Sequence, residues 1–252
     1  MQEQFVIHPN LPESTVSCAI LSGKKTELVR ELHRCGVRVI STSGLPSVSG
    51  SERDHADMCL CHIGGQEIMV SCNLPSEIRQ ALCMEGFRLT ETLTPVIAPR
   101  PLLNVCLLGK LALCHRNKTE SLLLDFLSAH RYTIVHTNQA YARCSTAILG
   151  PKAVITADPG IAQICIRNGI DVLPISSGHI MLEGYHYGFI GGCCGLLSRD
   201  ILAFSGNIKK HPDYDNIKAF AGNYHISLLS LSDKPLYDIG GILPLKVVSE
   251  SA

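Results

Sequence analysis

An α/β ring of five strand–helix–strand units, each about 45 residues long, is the fold class that this sequence predicts. The same order of apolar strand, polar break, amphipathic helix, turn and second strand occurs five times in the 252 residues. Each unit holds three short strands for one short helix, in a ββαβ-type order, and matching segments end on small or charged residues, as expected of strands that converge on a central channel. We therefore interpret the chain as a single domain, 1–252, with five-fold pseudosymmetry. The approximate repeats are 1–58, 59–101, 102–144, 145–192 and 193–245.

Amphipathic helices are the clearest markers of the repeat. Their apolar residues recur at helical spacing, as Leu28 and Leu32 do in the first unit, so each helix can cover one face of a sheet. Each helix is followed by a residue type that tolerates the left-handed backbone conformation found at many helix ends. The predicted helices are 25–35, 76–85, 119–129, 161–168 and 215–221, and they end at Gly36, Gly86, His130, Gly169 and Gly222-Asn223.

A strand rich in β-branched or aromatic residues follows each helix stop. The alternative architecture is an open doubly wound sheet, whose strand–helix alternation would also look repetitive. Three strands for each helix favour the ring over that alternative. The predicted strands are 37–40, 87–89, 132–135, 170–173 and 224–228.

Charge and hydropathy narrow the classes of partner. Lys plus Arg and Asp plus Glu are balanced at 22 each, so we expect neither nucleic acid nor an anionic membrane as a partner. No stretch approaches the roughly 18 apolar residues that span a bilayer, and the first ten residues do not resemble a secretion signal. We expect a cytoplasmic protein with a small-molecule substrate; the sequence leaves the oligomeric state open.

Twelve cysteines are spread through the chain, many of them inside apolar runs such as Val105-Cys106-Leu107. We interpret most of them as reduced, buried small residues. Zinc is the alternative, through Cys59-x-Cys61-His62, Cys114-His115 and Cys193-Cys194. No Cys-x-x-Cys pair occurs, however, and alternating strand residues diverge. The sequence therefore predicts no metal and no cofactor.

Two short motifs carry residue types suited to catalysis. His55 and Asp57 are two residues apart, so on a strand they would share a face and could transfer protons in one cavity. The alternative is a surface His and Asp in a loop. Cys193 and Cys194 lie on a glycine-flanked segment that a substrate could approach closely, and a cysteine with a lowered pKa is a strong nucleophile. Their alternative is a pair packed in a tight turn.

Three segments give the chain a resemblance to a known superfamily: Asp54-His55-Ala56-Asp57, Thr156-Ala157-Asp158-Pro159-Gly160 and Phe189-Ile190-Gly191-Gly192-Cys193-Cys194-Gly195. With the five repeats, they resemble the pentein fold of the guanidino-group-modifying enzymes, which include arginine deiminases, agmatine deiminases, dimethylarginine hydrolases and amidinotransferases. The departures are Ala157 in place of an arginine, and Gly192 where a histidine usually precedes the nucleophile. A whole repeat also follows the cysteine pair.

The resemblance implies a cysteine-dependent hydrolase or amidinotransferase-like enzyme acting on a guanidino or amidino C–N bond. Cys194 or Cys193 would be the nucleophile, His55 the general acid/base and Asp57 a carboxylate that grips the guanidinium. Some penteins are not catalytic: the ribosomal-subunit anti-association factor uses the same ring as a binding surface. That kind of binding protein is the alternative function.

Guanidinium recognition requires two or more carboxylates in fork geometry. Besides Asp57, the candidates are Asp54, Asp158 and Glu183. Asp158 could equally cap a helix that has Pro159 at its first position. Arg143 is a candidate for binding a substrate carboxylate; its alternative is a surface or interface residue.

Overall fold

Five small sheets, each built around one strand–helix–strand crossover, make up the protein. The structure is a computed structural model that describes residues 2–97 and 100–249. The second predicted repeat, 59–101, thus includes residues 98 and 99, which lie outside the described residues. The strands are β1 (Glu3–Phe5), β2 (Val16–Ser22), β3 (Arg38–Thr42), β4 (Leu60–Gly64), β5 (Glu67–Val70), β6 (Arg88–Glu91), β7 (Cys106–Leu108), β8 (Leu111–Cys114), β9 (Thr133–His136), β10 (Thr146–Gly150), β11 (Ala153–Thr156), β12 (Asp171–Pro174), β13 (Cys194–Ser198), β14 (Ile201–Phe204), β15 (Ser227–Ser230) and β16 (Leu243–Val248). The α-helices are α1 (Thr26–Arg34), α2 (Ala56–Cys59), α3 (Ser76–Met84), α4 (Ser121–Ala129), α5 (Pro159–Arg167) and α6 (Tyr214–Asn223).

All five sheets have the same topology. In the sheets β4-β5-β6, β7-β8-β9, β10-β11-β12 and β13-β14-β15, the first strand is antiparallel to the second, and the second is parallel to the third across a helix. The remaining sheet has the order β1-β16-β2-β3, with β1 as an additional edge strand. Strand β16, from the other end of the chain, takes the place that the first strand has in the other sheets. The predicted five-unit α/β fold is confirmed, and β16 closes the ring.

Burial distinguishes the inside of the ring from the outside. The first strands of the sheets, β4, β7, β10, β13 and β16, are mostly buried, whereas the third strands β6, β9, β12 and β15 are mostly exposed or half-buried. Inner strands of neighbouring sheets contact one another, β7 with β10, β10 with β13 and β13 with β16. The first strands therefore surround the ring axis, and the helices lie outside them.

The long helices lie where their apolar spacing predicts them. Leu28 and Leu32, one turn apart, are the buried residues of α1, and their equivalents in α4 are Leu123 and Leu127. Gly36, Gly86 and Gly169 have φ of 81°, 88° and 70°, as expected of helix stops. Two predicted stops were displaced by one or more residues: Arg131 and His225 adopt the left-handed conformation instead of His130 and Gly222-Asn223.

Both motifs singled out from the sequence have a different local structure from the one expected. His55 precedes the short helix α2, which contains Asp57, so the two residues do not alternate along a strand. Gly191–Cys193 form a single 3₁₀ turn, and Cys194 begins β13 instead of ending a strand. In both places a loop turns into an inner strand, and the turn requires helical backbone geometry that a strand pattern does not reveal.

Apolar side chains fill the space between sheets and helices, and cysteines belong to this core. All twelve cysteines are free thiols; nine are buried, Cys72 is half-buried, and Cys35 and Cys83 are exposed. The interpretation of most cysteines as reduced, buried residues is confirmed. Within 2–97 and 100–249, no helix has the length and apolar character needed to cross a membrane.

Candidate functional site

The segments that lead into the five inner strands form one connected structure, and we call them the axial loops. The strand register aligns them: two residues before the first paired residue of each inner strand lie Met58, Asn104, Cys144, Gly192 and Gly241. The Cys144 N–H donates to Asn104 Oδ1 at 3.2 Å. The Gly192 N–H donates to the Cys144 carbonyl at 2.9 Å, and the Gly241 N–H to the Gly192 carbonyl at 2.8 Å. Residues from distant repeats are thus neighbours.

Three side chains from three axial loops form a buried group, which we call the axial cluster: His55, Cys144 and Asp238. One ring nitrogen, the Sγ atom and one carboxylate oxygen all lie within 4.8 Å of one another. His55 Nδ1 is 3.7 Å from Asp238 Oδ1. The exposed fractions are 3% for His55, 2% for Cys144 and 1% for Asp238. A thiol, an imidazole and a carboxylate are therefore brought together out of contact with solvent.

Asp57 supplies a second carboxylate, from the first turn of α2. Cys144 Sγ donates to Asp57 Oδ2 at 2.6 Å. Asp57 Oδ1 and His55 Nε2 are buried and have no hydrogen-bond partner among the described residues. Burial raises the pKa of Asp57 to about 6, against the opposing effect of His55. Burial, together with the Asp57 and Asp238 carboxylates, raises the pKa of the Cys144 thiol well above its ordinary value, so this structure favours the protonated thiol.

Main-chain groups and two glycines fix the position of Asp238. Its Oδ2 accepts from the Phe189 N–H at 2.9 Å and its Oδ1 from the Gly240 N–H at 3.0 Å. A Cβ atom on Gly192 would overlap Asp238 Oδ1, and one on Gly240 would overlap the side chain of His55. Burial raises the pKa of Asp238. The cluster therefore depends on glycine at both positions.

Arg143 is buried beside the cluster but pairs with neutral groups. Its Nε donates to Asn10 Oδ1 and its Nη1 donates to the Gly191 carbonyl, both at 3.0 Å. Neither carboxylate of the site is among its hydrogen-bond or ion-pair partners in the described structure. Apart from His55, which lies 3.7 Å from Asp238, the described residues place no cation in direct contact with Asp57 or Asp238.

The channel along the ring axis is nearly filled by side chains. A cavity of about 20 Å³ remains, and its lining includes Asp57, Arg143, Asn10 and His62. A cavity of this volume holds about one water molecule. A guanidino group therefore does not fit into the closed ring unless a neighbouring segment moves.

The structure does not bring the two candidate nucleophiles of the sequence, Cys193 and Cys194, into the axial cluster. Cys193 Sγ donates to the Ile190 carbonyl at 3.1 Å, and both side chains pack in an apolar cluster with exposed fractions of 0% and 1%. Burial raises the pKa of Cys194 to about 12 and that of Cys193 well above its ordinary value. The glycine-flanked segment is thus part of the core and offers no open approach.

The predicted carboxylates other than Asp57 lie apart from one another. Asp54 is buried, accepts from the Ser22 hydroxyl and pairs with Lys24 Nζ at 2.5 Å, so it is already neutralised. Asp158 caps α5 by accepting from the Ile161 N–H at 2.8 Å, as its alternative interpretation predicts. Glu183 is exposed. These three residues do not form a fork with Asp57.

A segment without helix, residues 175–190, packs against Asp238 of the axial cluster. Its Phe189 N–H bonds Asp238, and the Glu183 carbonyl accepts from Ser51 Oγ at 2.7 Å. A pocket of about 270 Å³ lies under this segment. Its lining is Gln139, Ser145, Ala157, Asp158, Pro159, Ser176, Ser177, Gly178, Ile180, Tyr187, Gly188, Phe189 and Ile190. The pocket borders the cluster through Ser145, the neighbour of Cys144, and through Phe189.

Sequence reasoning missed Cys144, Asp238 and Asn104. A signal was present for the first two, because the segments Tyr141-Ala142-Arg143-Cys144 and Tyr237-Asp238-Ile239-Gly240-Gly241 occupy matching positions of their repeats. Of these two segments, only Arg143 is among the site residues predicted above. Asn104 carries no such signal, since an isolated Asn before a strand is common in loops.

Comparison with known proteins gives one sequence match and several matches of fold. The chain matches DUF6873, a family of unknown function, over residues 20–243. No curated protein matches it in sequence. Among solved structures, SxtG, an amidinotransferase from Microseira wollei in the saxitoxin biosynthetic pathway, has a TM-score of 0.59 at 12% identity, covering 90% of this chain and 91% of that one.

Two further structures are similar. The inosamine-phosphate amidinotransferase StrB1 from Streptomyces griseus has a TM-score of 0.59 at 13% identity, covering 92% of both chains. The agmatine deiminase of C. jejuni has a TM-score of 0.52 at 10% identity, covering 92% of this chain and 91% of that one. Such low identities show the fold alone, which is that of the pentein superfamily. Because the sequence match spans most of its length, the chain belongs to the DUF6873 family, and it has the pentein fold.

Proposed function

We propose that this protein is a cysteine-dependent enzyme that modifies a guanidino or amidino carbon, with Cys144 as its nucleophile. The observation that carries the proposal is the axial cluster, in which a thiol, an imidazole and a carboxylate lie within 4.8 Å of one another. The fold supports it as well, because the similar solved structures include amidinotransferases and an agmatine deiminase. His55 is the general acid/base, Asp238 is the carboxylate that binds the guanidinium, and Asp57 helps to bind the substrate and then accepts the thiol proton.

The charge of the site favours a planar cation as the substrate. Asp57 and Asp238 are buried, and Arg143 bonds Asn10 and Gly191 instead of either carboxylate. Buried carboxylates without a paired cation are costly in free energy. A guanidinium supplies both the missing positive charge and several N–H donors. Its charge would also lower the pKa of the Cys144 thiol, which the two carboxylates raise.

The proposed chemistry proceeds through a covalent thiouronium. The Cys144 proton passes to Asp57, which lies 2.6 Å from the thiol, and Sγ bonds to the guanidino carbon. The C–N bond breaks, and the departing amine takes a proton from His55. In a hydrolase, His55 then removes a proton from water, and the hydroxide adds to the thiouronium carbon. The C–S bond breaks, the hydroxyl proton of the adduct passes through solvent to the departed amine, and a urea is released. In an amidinotransferase, a second amine replaces the water. Asp57 finally returns its proton to the Cys144 thiolate.

Substrate access requires movement of the segment 175–190. The cavity beside Asp57 holds about one water, whereas the pocket of about 270 Å³ beside Ser145 and Phe189 accommodates a larger group. That pocket is lined by Asp158, Gln139 and serine side chains and contains no Lys or Arg. We therefore propose that the rest of the substrate is neutral or cationic, such as an amine or a polyol, and carries no carboxylate at this position.

The second candidate function is a non-catalytic binding protein on the pentein ring. The observation that favours it is the sealed state of the site, in which the Cys144 thiol is buried and its pKa is raised. It predicts that the thiol does not react with electrophilic guanidinium mimics. The two candidates therefore differ in a measurable property.

A haloacetamidine probe tests the proposal. Its amidinium mimics the substrate cation, and a nucleophilic thiol displaces the halide. We expect stoichiometric labelling at Cys144, located by peptide mapping, with loss of labelling in C144S. The matched control is C194S, the same substitution at an equally buried cysteine, the first residue of β13. Labelling at Cys194 or Cys193 would identify that residue as the nucleophile instead. If none of the three thiols of the folded protein reacts with the probe, the enzymatic proposal is excluded.

A further inference from the structure

The axial cluster also has the properties of a metal site. His55, Cys144 and Asp238 each offer one ligand atom, all within 4.8 Å of one another. Asp57 Oδ1 is buried, has no hydrogen-bond partner among the described residues, and belongs to a side chain that lines the 20 Å³ cavity. An unpaired carboxylate oxygen at a water-sized cavity is an acceptor without a donor, which a cation would satisfy.

We propose that the closed ring binds one divalent transition-metal ion of the Zn²⁺ class through His55, Cys144 and Asp238. The fourth position of a tetrahedron is left to Asp57, whose Oδ2 accepts from Cys144 Sγ at 2.6 Å, or to a water molecule. Binding replaces the thiol proton of Cys144 with a metal–sulfur bond, and that proton leaves to solvent. This ligand set differs from the cysteine and histidine pairs weighed in the sequence.

The spacing of the ligand atoms is close to that of a tetrahedral site. Zn–N, Zn–O and Zn–S bonds of about 2.0–2.3 Å place neighbouring ligand atoms about 3.3–3.8 Å apart. His55 Nδ1 and Asp238 Oδ1 already have that spacing, at 3.7 Å. The other pairs lie within 4.8 Å, so they have to approach one another by at most about 1 Å to reach that spacing.

The chemistry and size of the site select the ion. A thiolate, an imidazole and a carboxylate suit Zn²⁺ or Co²⁺, whereas Mg²⁺ and Ca²⁺ prefer oxygen ligands alone. Two carboxylates, with Arg143 paired elsewhere, favour a dication over neutral occupants. The cavity beside Asp57, of about 20 Å³, is too small for a guanidino group, and an ion held among the three ligand atoms needs no comparable space. Metal binding thus uses the closed ring, whereas substrate binding requires an open one.

Cobalt titration of the reduced, metal-free full chain tests the inference. We use a background in which the exposed Cys35 and Cys83 are replaced by Ser, so that surface thiols do not bind the probe. We expect one equivalent of Co²⁺ to give a thiolate-to-metal charge-transfer band together with the visible bands of a tetrahedral site. Zn²⁺ should displace the Co²⁺, and Mg²⁺ should not.

Matched variants locate the ligands. C144S should abolish the charge-transfer band and weaken binding by more than about 100-fold, whereas C194S should keep both. H55Q retains the thiol and should weaken Co²⁺ binding by at least about 10-fold. Absence of one-to-one binding, or a charge-transfer band that persists in C144S, would overturn the inference. If C144S does not fold, an unchanged affinity in H55Q would overturn it.

The inference and the proposed enzyme fail independently. A metal-free protein that reacts with the haloacetamidine at Cys144 but binds no Co²⁺ would exclude only the metal site. A protein that binds Co²⁺ through Cys144 but is never labelled would exclude only the enzyme. Where both hold, bound Zn²⁺ should block labelling, because a metal-bound Sγ is not free to attack carbon.

Discussion

Cys144 Sγ lies 2.6 Å from Asp57 Oδ2, although the two residues are 87 positions apart in the chain. The hydrogen bond joins the fourth sheet's axial loop to α2, and it places the thiol beside the carboxylate that would accept its proton. The contact exists only because the ring brings the loops of different repeats to one axis. Four predictions test how that arrangement works.

Replacing the proposed acid/base removes proton transfer without removing the thiol. We expect H55Q to lower turnover, on a substrate identified from a panel of guanidino compounds, by about 10²–10⁴-fold. The measurement is release of urea or of the free amine. H33Q is the matched control, because His33 is exposed on α1. Full activity in H55Q would assign the proton transfers to another group.

A single methyl group at Gly192 should disturb the cluster. Because its Cβ would overlap Asp238 Oδ1, we expect G192A to lower the free energy of unfolding by about 1–3 kcal/mol and to abolish labelling of Cys144. G222A is the control, and we expect it to change the free energy of unfolding in the opposite direction. Gly222 lies in α6 with no heavy atom within 4 Å of an added Cβ, so alanine there should stabilise the protein by about 0.5–1 kcal/mol. Urea unfolding measures both changes, and equal effects would contradict the prediction.

Loss of Arg143 should destabilise the whole ring. Its guanidinium bonds Asn10 and the Gly191 carbonyl, so it joins the N-terminal segment to the 3₁₀ turn that leads into β13. We expect R143A to lower the free energy of unfolding by about 2–5 kcal/mol, because the partners are left buried and unpaired. R30A, at an exposed position of α1, should change it by less than about 0.5 kcal/mol. A small effect of R143A would mean that water replaces both hydrogen bonds.

Buried His62 should make the protein less stable in acid. Burial lowers the pKa of His62 from its ordinary value of 6.5 to about 4. Below pH 6.5 the imidazole of His62 is protonated in the unfolded chain, whereas in the folded protein it stays neutral until about pH 4. The free energy of unfolding therefore decreases as the pH falls through this window. The side chain contacts the Gly65 carbonyl at 3.0 Å, which a glutamine amide can also bond.

The matched variant for this effect is H62Q. Between pH 7 and pH 4.5, the wild type should lose about 2–3 kcal/mol of unfolding free energy relative to H62Q, measured by urea unfolding. The pKa of Asp57, raised to about 6, gives an opposite pH dependence. That contribution is common to both proteins and cancels in the comparison. Parallel pH profiles for the two proteins would contradict the prediction.

The five-fold repeat and much of the local structure could be predicted from the sequence. Helical spacing such as Leu28 and Leu32 located α1, and Gly36, Gly86 and Gly169 marked helix ends, because these features depend on residues near one another in the chain. Asp158 before Pro159 was recognisable as a helix cap for the same reason. His55 and Asp57, which the sequence predicted as a pair, lie in the same axial loop and its short helix but are not strand neighbours.

Only the tertiary structure decided which thiol meets His55. Cys194 and Cys144 are both buried cysteines at the start of an inner strand, and their local sequences do not distinguish them. The register decides: Cys144 lies two residues before its strand's first paired residue, whereas Gly192 occupies that position in the next repeat. That position brings together five loops that no short-range pattern connects. The local sequence determines the elements, and closure of the ring determines which residues meet.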